Sequence, residues 1–155
     1  MALDRIVQAY QRATNIFLAA AAEVPVDGLD QRPGPGEWTP RQIIHHLADS
    51  ETTSYIRLRR LLAEPTGALI QGYDERAWSE CSAMGYTELP IEHSLAVFTA
   101  VRAASADVLA RIEATDLERY GEHTEIGHYT LAHWVEIYSR HPREHAEQMR
   151  GALGA

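Results

Sequence analysis

The stretch from Thr39 to Glu64, "TPRQIIHHLADSETTSYIRLRRLLAE", decides how the chain folds. Thr39 suits an N-cap, Pro40 suits the first helical position with its fixed φ, and Gln42 completes a Thr-x-x-Gln capping box. Trp38 and Ile43 could add a hydrophobic staple across that start. Neither Gly nor Pro interrupts the run before Glu64, so it predicts about six helical turns at about 3.6 residues each. Ile44, Leu47, Ala48, Tyr55, Leu58 and Leu62 fall on one side of that helix.

Upstream, Leu3, Ile6, Val7, Tyr10, Ala13, Ile16, Phe17, Ala20 and Val24 recur at steps of three and four, which predicts a first helix ending before Pro25. The intervening "VPVDGLDQRPGPGEW" (24–38) holds three of the seven prolines and three of the ten glycines, so it reads as a loop. Downstream, residues 65–88 show no sustained period, although "DERAWSECS" could form a short helix carrying Trp78 inward. Long connections of this kind often cover a functional site. A third helix is expected from near Pro90 through Ala114, with Ile91, Leu95, Phe98, Val101, Val108, Leu109 and Ile112 at helical spacing. Gly121 and Gly127 punctuate alternating polar and apolar groups in "TDLERYGEHTEIGHYT" (115–130), which fits a short hairpin. A fourth helix starts near Thr130, with Leu131, Trp134, Val135, Tyr138, His141, His145 and Met149 along one stripe. Four long amphipathic helices predict an all-α four-helix bundle with a long connection between helices 2 and 3, a single domain over 1–155.

Composition excludes several function classes. At 45% hydrophobic and 23% charged residues the chain is an ordinary globular one. Its 14 basic and 22 acidic residues give a formal charge of -8, which repels a nucleic-acid backbone. Arg57, Arg59 and Arg60 point to different faces of the second helix, so no nucleic-acid partner is expected. Cys81 is the single cysteine and cannot form an intrachain disulfide; it reads as a buried structural thiol rather than a nucleophile. "MALDRIVQAY" lacks the pattern of a signal peptide, and "IFLAAAAEVPV" is too short to span a bilayer, so a cytoplasmic protein without membrane contact is expected. No G-x-S-x-G elbow or phosphate-binding glycine loop is present.

The eight histidines carry the chemistry worth weighing. His141 and His145 are four apart, so on a helix both imidazoles can reach one ion. A bundle-core metal site needs a further ligand from a facing helix, and the second helix offers His45 or His46; spacing does not decide between them. Three neutral imidazoles on zinc or nickel leave open positions and can bring a bound water's pKa down to about 7, which describes a catalytic site. Asp49, Glu51 and Glu144 are the carboxylates nearest in sequence to these ligands; Asp49 and Glu144 are the candidate bases or supporting groups.

The ordered motifs "GEWTPRQIIHHLADSE", "SYIRLRRLLAE", "GYDERAWSE" and "YSRHPREHAEQ" resemble the DinB-like superfamily, in its YfiT-type branch of metal-dependent hydrolases, from Arg32 to Gly151. The resemblance implies a four-helix bundle, frequently dimeric, that binds nickel or zinc through three histidines. Matched by motif, these are His46, which opens "HLADS", together with His141 and His145, leaving His45 as a neighbour. It also implies a reaction class, because characterised relatives include thiol S-transferases that join bacillithiol, mycothiol or glutathione to electrophiles. His123 matches loosely a family histidine before the last helix and stands as a secondary pocket residue. Tyr73, Asp74 and Trp78 belong to the "YDERAW" motif, either packing the connection or lining the pocket; His93, His128 and His133 read as structural or exposed.

Pro142 departs from the family pattern. Proline inside a helix removes a backbone bond and clashes with the carbonyl four residues back, at a cost of about 3 kcal/mol or more. A kink is therefore expected near Tyr138, one that shifts the pairing of His141 and His145 without abolishing it. The expected function is a metal-dependent hydrolase or thiol S-transferase acting on a small electrophile. The alternative is a non-catalytic dimeric bundle that binds a metal or small ligand.

Overall fold

The structure is a computed structural model that describes residues 3–154; Met1, Ala2 and Ala155, at the ends of the 1–155 domain assignment, lie outside the described residues. Four long helices form the bundle: α1 (Leu3–Glu23), α2 (Pro40–Ala63), α4 (Glu92–Leu109) and α5 (Leu131–Ala152). A short helix, α3 (Glu75–Glu80), and three strands complete it: β1 (Ala68–Ile70), β2 (Tyr120–His123) and β3 (Gly127–Thr130). α1 packs mainly on α5, and α2 on α4. Among the described residues no helix is long and apolar enough to cross a membrane.

The α2 start follows its capping box in both directions, with Gln42 N–H donating to Thr39 Oγ1 (3.2 Å) and Thr39 N–H to Gln42 Oε1 (3.0 Å). α4 starts two residues beyond Pro90 and ends at Leu109, earlier than its apolar spacing predicts. The hairpin forms as expected: β2 pairs antiparallel with β3, with Tyr120 opposite Thr130 and His123 opposite Gly127. Gly127 turns the chain at φ +75°, a left-handed conformation that suits glycine.

Two features of the connection between α2 and α4 differ from expectation. β1 adds a parallel strand to β2, with Ala68 opposite Gly121, and Gly121 is required there because a Cβ would lie 2.6 Å from the Ala68 carbonyl oxygen. Trp78 is not carried inward. α3 has only two turns and no buried residue, so Trp78 stays at the surface, its ring tilted against Tyr73 with centroids 4.6 Å apart. Polar bonds fasten the rest of the connection to α2: Tyr86 Oη–H donates to Asp49 Oδ2 (2.6 Å), and Arg57 donates to the Gln71 carbonyl (3.0 Å).

The core is divided in two. One apolar cluster contains Tyr10, Leu58, Leu109, Trp134 and Tyr138 and extends to the sheet through Ile70 and Tyr129. The other contains Phe17, Ile43, Leu47, Phe98, Ala146 and Met149. Between these levels each long helix contributes a polar group: Thr14 from α1, Glu51 from α2, Arg102 from α4, and His141, next to Pro142, from α5. Arg102 and Glu51 form a fully buried ion pair at 3.2 Å, and the guanidinium lies 3.4 Å from the centre of the Tyr10 ring. Burial pushes the Glu51 carboxyl toward its protonated form, while Arg102 and the Ser54 hydroxyl hold it back.

α5 runs through Pro142 as one helix, so the proline does not end it at Tyr138. The carbonyl of Tyr138, whose helical donor would have been the N–H at position 142, instead accepts from Arg102 Nη1 at 2.8 Å.

Candidate metal centre

His46 reaches the interior because it lies three residues after Ile43 on the stripe that buries Ile43, Ile44 and Leu47. It is 1% exposed. His45 is turned about 100° from it around the helix. There Ser94 Oγ lies 2.7 Å from its Nδ1 and the Leu89 carbonyl 3.1 Å from its Nε2, so both nitrogens are engaged and His45 ties α2 to the α4 start.

From the facing helix, His141 and His145 stand one turn apart with their Nε2 atoms 3.0 Å from each other. His46 Nε2 is 3.4 Å from His141 Nε2. Bonds of about 2.0–2.1 Å at a tetrahedral ion place neighbouring nitrogens about 3.3–3.4 Å apart, so this spacing suits one divalent ion held by three imidazoles. All three donor atoms lie within 4.8 Å of one another. A proton on His141 Nε2 can bridge only one of these two contacts, because a ring N–H points along a single direction. A cation on the common point would satisfy all three lone pairs at once.

Electrostatics favours the same occupant. Burial, reinforced by the charge of His145, pushes the His46 pKa down to about 3. Burial and the two neighbouring imidazoles push His141 down to about 2. Burial also lowers His145, against the opposing pull of Gln148 and Glu144. The rings are therefore neutral at ordinary pH, the form that ligates metals.

The outer nitrogens differ among the three. His145 Nδ1–H donates to Gln148 Oε1 (2.8 Å), which leaves the lone pair on Nε2. Among the described residues, Nδ1 of His46 and of His141 has no hydrogen-bond partner. Packing holds these two rings instead: Trp38 lies 4.6 Å from His46 between centroids, and Tyr138 lies edge-on to His141 at 6.3 Å.

The two carboxylates named from the sequence do not join the cluster. Asp49 accepts the Tyr86 hydroxyl and is half-buried beside His45, with burial raising its pKa. Glu144 is exposed and paired with Arg140 at 3.0 Å. Glu51 is committed to Arg102. His123 is buried on β2, its Nδ1 accepting from the Glu125 N–H (3.2 Å), apart from the three ligand candidates. His93 and His128 are exposed, and His133 is half-buried against Tyr129. Cys81 corrects the expectation of a buried thiol: it is exposed, because it ends the two-turn α3 where no core reaches.

A cleft of about 950 Å³ borders the cluster across Trp38, whose ring packs on His46 and His145 and also lines the cleft. Arg32, Gln42, Tyr73, Glu75 and Glu125 share that lining, so Tyr73 of the "YDERAW" motif belongs to the cleft. Sequence reasoning missed three contributors. The sequence marks Trp38 only as a staple residue, although helical side chains lean toward the N-terminus and so bring His46 back onto it. Gln148 follows His145 by three residues, a spacing that places it on the same face. Arg102 is the sole arginine of α4 and interrupts a run of apolar and small residues from Leu95 to Ala106, a break in the stripe that marks a buried charge.

A family model of the DinB superfamily matches residues 9–149. A relative from Oceanobacillus iheyensis, provisionally named a metal-dependent hydrolase, is 38% identical over 117 residues, which is 76% of this chain and 66% of that protein, just under two thirds of its length. A Bacillus mycoides relative with the same provisional name is 30% identical over 143 residues, 92% of this chain and 80% of its own. Among solved structures, YfiT from Bacillus subtilis, described as a probable metal-dependent hydrolase with an unusual four-helix bundle topology, superposes with a TM-score of 0.86 at 30% identity. That match covers 98% of this chain and 86% of the other.

Proposed function

This chain belongs to the DinB superfamily, and we propose that His46, His141 and His145 hold a divalent ion, zinc or nickel, in a metal-dependent hydrolase or thiol S-transferase for small electrophiles. One observation carries the reading: three neutral imidazoles from two helices aim Nε2 atoms at a common point, at separations of 3.0 and 3.4 Å. An ion held there would supply Lewis acidity, polarising an electrophile and acidifying a water or thiol in an open position.

The chain's own residues do the rest. His145 keeps its proton on Nδ1 through Gln148, so its inner nitrogen stays a donor. Trp38 covers His46 and shields it from water. The cleft beyond Trp38 combines the guanidinium of Arg32 with the carboxylates of Glu75 and Glu125, a lining suited to a small zwitterionic molecule such as a low-molecular-weight thiol. This lining favours thiol transfer over hydrolysis of an apolar substrate.

The test is metal analysis of protein purified without a nickel column, together with His46→Ala and His145→Ala. The parent should carry close to one equivalent and both variants should lose it; metal content unchanged by either substitution refutes the site. A screen of thiols with electrophiles, run with and without chelator, then separates transferase from hydrolase. Chelator-sensitive consumption of thiol supports transfer, and chelator-sensitive turnover without thiol supports hydrolysis.

A further inference from the structure

We infer that Arg102 is a positioning residue for the metal site: from α4 it supplies the backbone donor that Pro142 removes from α5, and so holds His141 at the level of His46. The inference rests on the metal reading above.

In an unbroken helix the N–H at position 142 would donate to the carbonyl of Tyr138. Proline has no such group, and its ring pushes that carbonyl away from the helix axis. A buried orphan carbonyl would result, three residues before His141. Arg102 Nη1 occupies the vacated position at 2.8 Å. The same nitrogen lies 3.2 Å from Glu51 Oε1, five residues beyond His46 on α2. Glu51 Oε2 in turn accepts from the Ser54 hydroxyl at 3.1 Å. The remaining donors of the fork go to α1, with Nη2 on the Tyr10 carbonyl (2.6 Å) and Nε on Thr14 Oγ1 (2.7 Å).

A single guanidinium thus bonds the two helices that carry the ligand candidates, at the level where one of them has lost a rung. Because planar guanidinium donors have fixed directions, moving α5 along its axis breaks the bond to Tyr138 or the bond to Glu51. Lysine offers one flexible ammonium and cannot hold all of these bonds together.

The geometry predicts energetic coupling between positions 102 and 142 that is read at the metal. The full chain is prepared as parent, Arg102→Lys, Pro142→Ala and the double variant. Zinc affinity is measured by competition with a chromophoric chelator, and ligand geometry by the absorption spectrum of the cobalt form. Arg102→Lys should weaken zinc by about tenfold or more and alter the cobalt spectrum. Pro142→Ala should restore the helical donor and leave zinc affinity at the parent level. In the Pro142→Ala background Arg102→Lys should lose much less affinity, because the new N–H now serves Tyr138.

A loss of equal size in both backgrounds overturns the inference, and so does an unchanged spectrum and affinity in Arg102→Lys. Should Arg102→Lys fail to fold, its recovery on adding Pro142→Ala is the expected coupling, and failure in both backgrounds overturns the inference. Zinc binding without coupling defeats this inference alone, whereas a parent protein that binds no zinc defeats the metal reading as well.

Discussion

Two polar clusters interrupt the apolar core at the same level of the bundle, and they are built on opposite terms. Around Arg102 the charged groups are matched: the guanidinium meets Glu51, Thr14 and the carbonyls of Tyr10 and Tyr138, and Glu51 also accepts from Ser54. Around His46 the groups oppose one another, with three inner nitrogens facing a common point and two outer nitrogens unpartnered among the described residues. The difference separates architecture from chemistry, since a buried polar cluster that is complete holds a fold, whereas one that is incomplete is built for something it must still receive.

The largest expected effect breaks the complete cluster. In metal-free protein, Arg102→Met should lower the unfolding free energy by about 3–5 kcal/mol, because Glu51 remains as an uncompensated buried carboxylate beside two orphaned carbonyls. His145→Ala, which removes one of three opposed imidazoles, should change it by about 1 kcal/mol or less. Urea unfolding of both variants measures the contrast, and comparable losses would erase the distinction between the clusters.

Acidification acts on the incomplete cluster next. Burial pushes the pKa of His46 down to about 3 and that of His141 down to about 2 in the fold, against about 6.5 in an unfolded chain. Below about pH 6.5 the unfolded state takes up protons that the folded state refuses, so stability falls as pH falls. Above that pH the penalty is absent. Each histidine that stays neutral in the fold adds a slope of about 1.4 kcal/mol per pH unit. Urea unfolding of metal-free protein across this range should show the decline, and His141→Ala should make it shallower. A parent and variant with the same slope would mean that the rings are protonated in the fold.

Much of this architecture is legible in the sequence. The capping box at Thr39 and Gln42, the apolar stripes of four helices and the glycines of the hairpin are local signals, each decided within about two helical turns of chain. The His141 and His145 pair is equally local. What could not be read depends on partners far along the chain. His45 and His46 are adjacent on one helix, and only the Ser94 hydroxyl and Leu89 carbonyl show that His45 is occupied elsewhere. β1 is three residues long and finds its partner strand more than fifty residues later. Pro142 signals a kink and a lost backbone donor, and the replacement donor comes from Arg102 on another element. Trp78 lies on a helix too short to form a buried stripe and Cys81 directly follows it, so residue type alone misplaces both inward.

The smallest effect sharpens the contrast at its edge, where the incomplete cluster has one completed bond. Gln148 Oε1 accepts from His145 Nδ1, the sole outer nitrogen of the three that has a partner among the described residues. That bond fixes the ring's tautomer and its orientation, and neither Trp38 packing on His46 nor Tyr138 packing on His141 can choose which nitrogen carries the proton. Gln148→Leu keeps the side-chain bulk and removes the acceptor. His145 is then free to place its proton on Nε2, a form that cannot ligate until it rearranges. Metal affinity should fall by about tenfold, or about 1.4 kcal/mol, at the weak end of what loss of such a partner produces. Gln148→Glu, with a stronger acceptor on the same bond, should bind at least as tightly as the parent. Competition titration with a chelator distinguishes the three proteins. If Gln148→Leu binds as tightly as the parent, the bond to Gln148 does not set the His145 tautomer, and the edge of the cluster is as incomplete as its centre.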